Sequence, residues 1–261
     1  MKVGRIIRVL EEQFPPALAL DWDNPGLQVG AMDRSVKKIA VALDATNEVI
    51  KDCIDWKADL LVTHHPLLMS GIRQVNSTSM YGRKILALAE HGIAHYAMHT
   101  NYDVAEMGRL AERALKLEKC EPLETTGVSE DGAAYGIGRI GDLPKKMTAR
   151  ECCDFVKKAF GLPDVRLFGA EGTVVKHVAV CPGSGKSMIK DALAGKAHLL
   201  VTGDIGHHDG LDAVDQGLVI IDAGHYGVEQ MFIPQVAALL EKKFPDLKIK
   251  AIKTGAPFQT I

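Results

Sequence analysis

The chain has 261 residues, 47% of them hydrophobic and 25% charged, which leaves room for one large α/β domain or two small ones around a sizeable core. A formal net charge of −2 with both signs interspersed, and 5% aromatic residues, argue against a charge-driven polyanion binder with a strong stacking groove. No apolar run approaches a membrane span, the amino terminus has no signal-peptide core, and five cysteines without paired spacing form no disulfide framework, so a cytoplasmic protein with reduced thiols is expected.

Residues 3–14 read as a helix with Val3, Ile6, Ile7 and Leu10 on one face. Asp21-Trp22-Asp23-Asn24-Pro25-Gly26 is turn chemistry and leads into a short strand over 27–30. A buried strand over 39–43, a helix over 46–57 and a strand over 60–63 follow, then a helix over 81–91 and a strand over 93–98. The polar, glycine-containing stretch 121–132 marks a boundary, with a first α/β domain over 1–126 and a second over 127–232. Residues 134–141 give a strand, and Thr148 caps a helix to Phe160 with Glu151 as its capping-box partner. Further strands fall at Val178, Leu199, 218–221 and 248–252, with helices from Ser187, near Leu211 and over 234–243. Strands alternating with helices of about ten residues predict parallel βαβ units buried on both faces.

The two halves repeat each other. Lys37-Lys38-Ile39-Ala40-Val41 returns as Lys176-His177-Val178-Ala179-Val180, and Ala58-Asp59-Leu60-Leu61-Val62-Thr63 returns at the same displacement as Ala197-His198-Leu199-Leu200-Val201-Thr202. Matched pieces in fixed register indicate two similar α/β domains related by internal duplication. The copies diverge where chemistry would sit: one continues His64-His65-Pro66, the other Gly203-Asp204-Ile205. A third piece ends each apolar run in a histidine with a carboxylate four residues on, His99 with Asp103 and His225 with Glu229.

Ligands in parallel α/β sheets gather beyond the carboxyl ends of the strands, where His64, His65, Asp103, His225 and Glu229 all fall. Imidazole with carboxylate suits divalent zinc, iron, manganese or nickel. Three histidines and two carboxylates are too many for one open site and suit two adjacent ions, with one carboxylate bridging. Each residue also has a plainer reading. An adjacent His-His pair is often only a polar loop, and His99 reads better as a hydrogen-bonding or core residue than as a ligand. Asp204, His207 and His208 are candidates to orient ligands, and the catalytic group itself would be a metal-bound water. Ser184-Gly185-Lys186-Ser187 imitates a phosphate loop, but that spacing requires glycine where Val180 stands. Its better reading is a turn tightening a strand-to-helix connection. Adjacent Cys152 and Cys153 and the lone Cys181 read as buried thiols.

Trp22-Asp23-Asn24-Pro25-Gly26-Leu27, Thr63-His64-His65-Pro66, His99-Thr100-Asn101-Tyr102-Asp103, Gly183-Ser184-Gly185, Thr202-Gly203-Asp204 and Gly224-His225-Tyr226-Gly227-Val228-Glu229 occur in the order of a known family. The chain resembles the NIF-three-like dinuclear-metal family, whose bacterial members are named GTP cyclohydrolase I type 2 homologues, in the short form without an inserted domain. The resemblance implies that residues 233–261 return to the first domain, and that the protein forms a homohexamer, a trimer of dimers, around a toroidal interior. It implies two divalent metal ions on His64, His65, Asp103, His225 and Glu229, with Glu229 bridging. Pro25 stands where the family often has valine, a departure confined to a turn.

The function expected is metal-dependent hydrolysis of a nucleotide or related small molecule; in its cyclohydrolase form, hydroxide attacks C8 of guanine and opens the imidazole ring. The alternatives are a ring that binds single-stranded DNA or a regulatory partner, and metal storage or sensing without catalysis.

Overall fold

The computed structural model describes residues 1–258. The strands, in chain order, are β1 (Gly26–Val29), β2 (Lys38–Ala42), β3 (Leu60–Thr63), β4 (Ala94–Ala97), β5 (Glu118–Val128), β6 (Ala134–Thr148), β7 (Arg166–Phe168), β8 (Val174–Ser184), β9 (Leu199–Gly203), β10 (Val219–Asp222) and β11 (Lys248–Ala251). They form a five-stranded sheet ordered β1-β4-β3-β2-β11 and a six-stranded sheet ordered β5-β6-β8-β9-β10-β7.

The chain packs as two units: Met1–Tyr102 with Phe232–Thr254, and Asp103–Met231 with the described residues from Gly255. The dividing point is therefore Tyr102/Asp103 and not residue 126. The polar stretch 121–132 is no linker, because Glu121 and Glu124 pair with Ile140 and Ile137 in the β5–β6 ladder. β5 has no buried position, so its charges read as loop in the sequence although they blunt a sheet edge. The segment expected to return to the first unit does so over Phe232–Thr254, whereas Gly255–Phe258 group with the second unit and 259–261 lie outside the described residues.

The duplication is larger than the sequence displays. Ile39 pairs with Leu60 and Val178 with Leu199, so the matched segments keep one parallel register in both sheets. Each unit also places a short antiparallel strand beside the third strand of its repeat, β1 on β4 and β7 on β10. A helix precedes each of these strands, Val3–Gln13 in one unit and Ala149–Phe160 in the other. Even the turn before the second repeat strand is copied, since Lys57 and Lys196 both adopt a left-handed φ, 59° and 58°. What differs is the far edge: β11 adds parallel to β2, while β6 adds antiparallel to β8 and β5 antiparallel to β6.

Alternation along the strands places both faces of the second sheet in core. Val178, Val180, Leu199, Val201, Val219 and Ile221 pack on one side, and Ala179, Leu200 and Ile220 on the other. In the first unit Ala40, Ala42 and Leu61 share one core with Val49, Ile50 and Leu88, and Ile39, Val41, Leu60 and Val62 are equally buried. Val3, Ile6, Ile7 and Leu10 form the buried face of the first helix, as their spacing predicts. Thr148 and Glu151 close the reciprocal capping box at the head of the helix Ala149–Phe160. No helix among the described residues is long and apolar enough to cross a membrane.

Candidate metal centre

In the first unit the carboxyl ends of β3 and β4 deliver three histidines. His64 and His65 follow β3 directly, and His99 stands two residues beyond β4. Their ring centroids lie 4.9, 5.2 and 5.6 Å apart, and one ring nitrogen from each falls within 4.8 Å of the others. His99, read in the sequence as a hydrogen-bonding or core residue, stands beside the two histidines with its ring nitrogen among theirs.

Each ring is oriented by an acceptor at Nδ1. His64 donates to the carbonyl oxygen of Met98 (2.9 Å), His65 to Asp44 Oδ1 (2.8 Å) and His99 to Asp23 Oδ1 (2.8 Å). A carbonyl or carboxylate can only accept, so the proton sits on Nδ1, and Nε2 is the nitrogen through which a neutral ring would coordinate. Fixing the tautomer from behind in this way is characteristic of histidines that coordinate metals. Phe232 and Tyr102 wall the fully buried His64, with ring centroids 5.3 and 6.2 Å away.

The supporting carboxylates explain the Trp22-Asp23-Asn24 turn. Asp23 also accepts from the amide and hydroxyl of Thr100, at 2.9 and 2.5 Å. Burial works to raise the Asp23 pKa, but the bonds from His99 and Thr100 outweigh it and hold the group at about 2. Behind His65, Thr63 Oγ1 donates to the His65 carbonyl and accepts from His95 Nε2, both at 2.8 Å. Burial, with a smaller effect from Lys84, lowers the His95 pKa to about 3, so that ring is a neutral structural donor.

In the second unit the acceptors are mostly carboxylates. His225 opens the short helix His225–Glu229 just after β10, so one helical turn brings its side chain to that of Glu229. Its Nδ1 donates to Asp204 Oδ2 (2.7 Å), and its Nε2 lies 3.1 Å from Glu229 Oε2. A carboxylate oxygen of Asp103 lies within 4.8 Å of one from the buried Glu229. Glu229 thus has a second carboxylate on one side and an imidazole on the other. Imidazole nitrogen and carboxylate oxygen at these spacings are the donor types that divalent ions take.

Glycines give these groups their room. A Cβ on Gly183, whose φ is +83°, would lie 2.5 Å from Glu229 Oε1 and 3.7 Å from His225 Nε2. A Cβ on Gly185 would stand 2.0 Å from Thr202 Oγ1, and one on Gly203 2.5 Å from the backbone nitrogen of His225. The Gly-Ser-Gly sequence is thus the close approach of backbone to Glu229 and Thr202. Lys186 pairs instead with Asp209, at 3.0 Å.

Among the remaining candidates, His207 and His208 stack edge to face at 5.1 Å on an exposed helix start, and Asp204 alone of that group contacts His225. The five cysteines are free. Burial, then the charges of Asp103 and Glu229, push the Cys181 thiol far above its usual range. Sequence reasoning missed Asp44 and the role of Asp23. The repeat held the signal for Asp44, because the position aligned with Asp44 is Gly183, near the end of β8, and the position aligned with His65 is Asp204. Both differences fall at strand ends.

The family model for Duf34/NIF3 (NGG1p interacting factor 3) matches residues 1–257. A Clostridium perfringens protein named GTP cyclohydrolase 1 type 2 homolog is 34% identical over 246 residues, covering 93% of this chain and 92% of its own. A Methanocaldococcus jannaschii protein of the same name is 35% identical over 255 residues, covering 95% and 98%. The crystal structure of a Bacillus cereus protein related to NIF3 superposes with a TM-score of 0.92 over 100% of this chain and 99% of that one, at 24% identity, and shows the same fold. A full-length family match, relatives of matching length and two α/β units with His/Glu/Asp clusters at their strand ends agree: this chain is a member of the Duf34/NIF3 family in its short form.

Proposed function

We propose that the protein is a metal-dependent hydrolase acting on a nucleotide or related small molecule, with two divalent ions held by His64, His65, Asp103, His225 and Glu229. The observation that supports this reading is the histidine–carboxylate grouping of the second unit, where His225 Nε2 lies 3.1 Å from Glu229 Oε2 and Asp204 stands at its Nδ1. His64 and His65 of the first unit, each anchored at Nδ1, supply the same chemistry.

Bound divalent ions acidify water and polarise an electrophilic carbon or phosphorus. The chain's own part is to hold and shield. Asp44 and Asp204 hold His65 and His225 with a proton at Nδ1 and Nε2 available to an ion, Asp23 fixes the His99 ring beside them, and Phe232 with Tyr102 excludes water from one side of His64. The names of the relatives make GTP the first substrate to test, with formate release as the signature of imidazole-ring opening.

The test is elemental analysis of the wild type and Glu229→Ala, followed by a screen of GTP, other nucleotides and phosphoesters. The expected result is about two ions per chain in the wild type, fewer in the variant, and turnover only in the loaded wild type. A wild-type protein that takes up no transition ion overturns the reading. Metal uptake without formate from GTP removes the cyclohydrolase form alone. The homohexamer belongs to the same proposal, and sedimentation equilibrium tests it.

A further inference from the structure

Trp22 is 60% exposed, although the residue that follows it has a fully buried carboxylate. Its indole stands nearly perpendicular to His99, at 76° and a centroid distance of 5.8 Å, which puts a large aromatic surface in water beside the three-histidine cluster. The loop that carries it is held at many points. Asp23 binds His99 and Thr100, and its amide donates to the Leu20 carbonyl (2.9 Å); the Leu20 amide donates to Thr100 Oγ1 (2.9 Å). On the other side Asn24 Nδ2 donates to the Leu68 carbonyl (2.6 Å), and Gln28 bridges the Asn24 carbonyl (2.7 Å) and the Leu68 amide (3.1 Å). These bonds fix the backbone from which the exposed indole projects.

The other tryptophan provides the contrast. Trp56 carries the ammonium groups of Lys38 and Lys250 over its ring, at 5.2 and 5.9 Å, and so already has cation partners. Trp22 meets the edge of a histidine ring, that of His99.

We propose that Trp22 is the stacking platform for a planar heteroaromatic ring, the base of a nucleotide, held at the edge of the His64–His65–His99 cluster. The inference rests on the hydrolase reading and names the part of the substrate that this chain grips. A π-face accepts any base by offset stacking, while the backbone anchored through Asp23 fixes the distance between that base and His99. No covalent step is involved.

The chain has two tryptophans, so Trp56→Phe leaves Trp22 as the only indole. That variant is titrated with guanosine 5′-monophosphate and, separately, with ribose 5-phosphate, which has no ring to stack. Saturable quenching by the first and none by the second is expected. Equilibrium dialysis of the nucleotide then compares two further variants: Trp22→Leu, which keeps apolar bulk without a π-face, weakens binding about 5- to 100-fold, and Trp22→Phe stays within about threefold of the parent. Equal quenching by both probes, no saturable quenching by the nucleotide, or equal affinity in the Leu and Phe variants overturns the proposal. Metal content measured on the same preparations separates the two claims. A wild type without metal removes the hydrolase reading, whereas loss of the ring effect in metal-loaded protein removes the role of Trp22 alone.

Discussion

Gly183 and Gly132 make a matched pair for testing how closely backbone approaches Glu229. Their φ values are +83° and +84°, so alanine suffers the same left-handed strain at both, about 1–2 kcal/mol. Around Gly132 nothing lies within 4 Å of the added Cβ, whereas at Gly183 that atom falls 2.5 Å from Glu229 Oε1. The clash must displace the carboxylate or the backbone of β8, and overpacking of this kind costs a further ~1–3 kcal/mol. Urea unfolding should therefore rank Gly183→Ala below Gly132→Ala by about that amount. Elemental analysis should show wild-type metal in Gly132→Ala and depleted metal in Gly183→Ala, since the displaced group is a proposed ligand. Equal unfolding midpoints and equal metal content in the two variants would refute the argument, for the strain they share would then be the whole effect.

Asp204→Asn keeps an oxygen that can accept from His225 Nδ1 but removes the charge that makes Nε2 basic, so chelator competition should show metal affinity about 10- to 100-fold weaker. Asp23 has a pKa lowered from 3.8 to about 2, so its contribution is present above pH 3.8 and disappears as pH falls toward 2. Asp23→Asn should lose on the order of 2 kcal/mol at neutral pH and show a flatter acid limb in unfolding measurements between those values; a limb parallel to wild type would contradict this. Cys181 should resist iodoacetamide in the native protein at about pH 8 and react only after unfolding, because burial and the neighbouring carboxylates disfavour its thiolate. Mass mapping of a native digest that finds Cys181 alkylated would count against the described packing.

Much of the site was legible because strand ends are legible. Apolar runs that stop at His64, at His99 and two residues before His225's glycine mark where buried parallel strands give way to polar groups. The charged edge strand β5 was not legible, since a strand with no buried face has no apolar alternation and its pairing with β6 is fixed by a partner many residues away. The same holds for the three-residue strand β7, which exists only because β10 is there to receive it.

The sequence by itself determined the duplication, the order of the repeat strands and the histidines and carboxylates at their ends, because each of these follows from local periodicity and from a repeat that needs no coordinates. The tertiary structure decided which group stands behind which ring: Asp44 on His65, Asp23 on His99, Asp204 on His225, and bare backbone at Gly183 to admit Glu229. Those pairings join residues 21 or 76 positions apart through hydrogen bonds of about 2.8 Å. Directional bonds of that length depend on where packed strands place their last residue, and hydrophobic patterning carries no record of it.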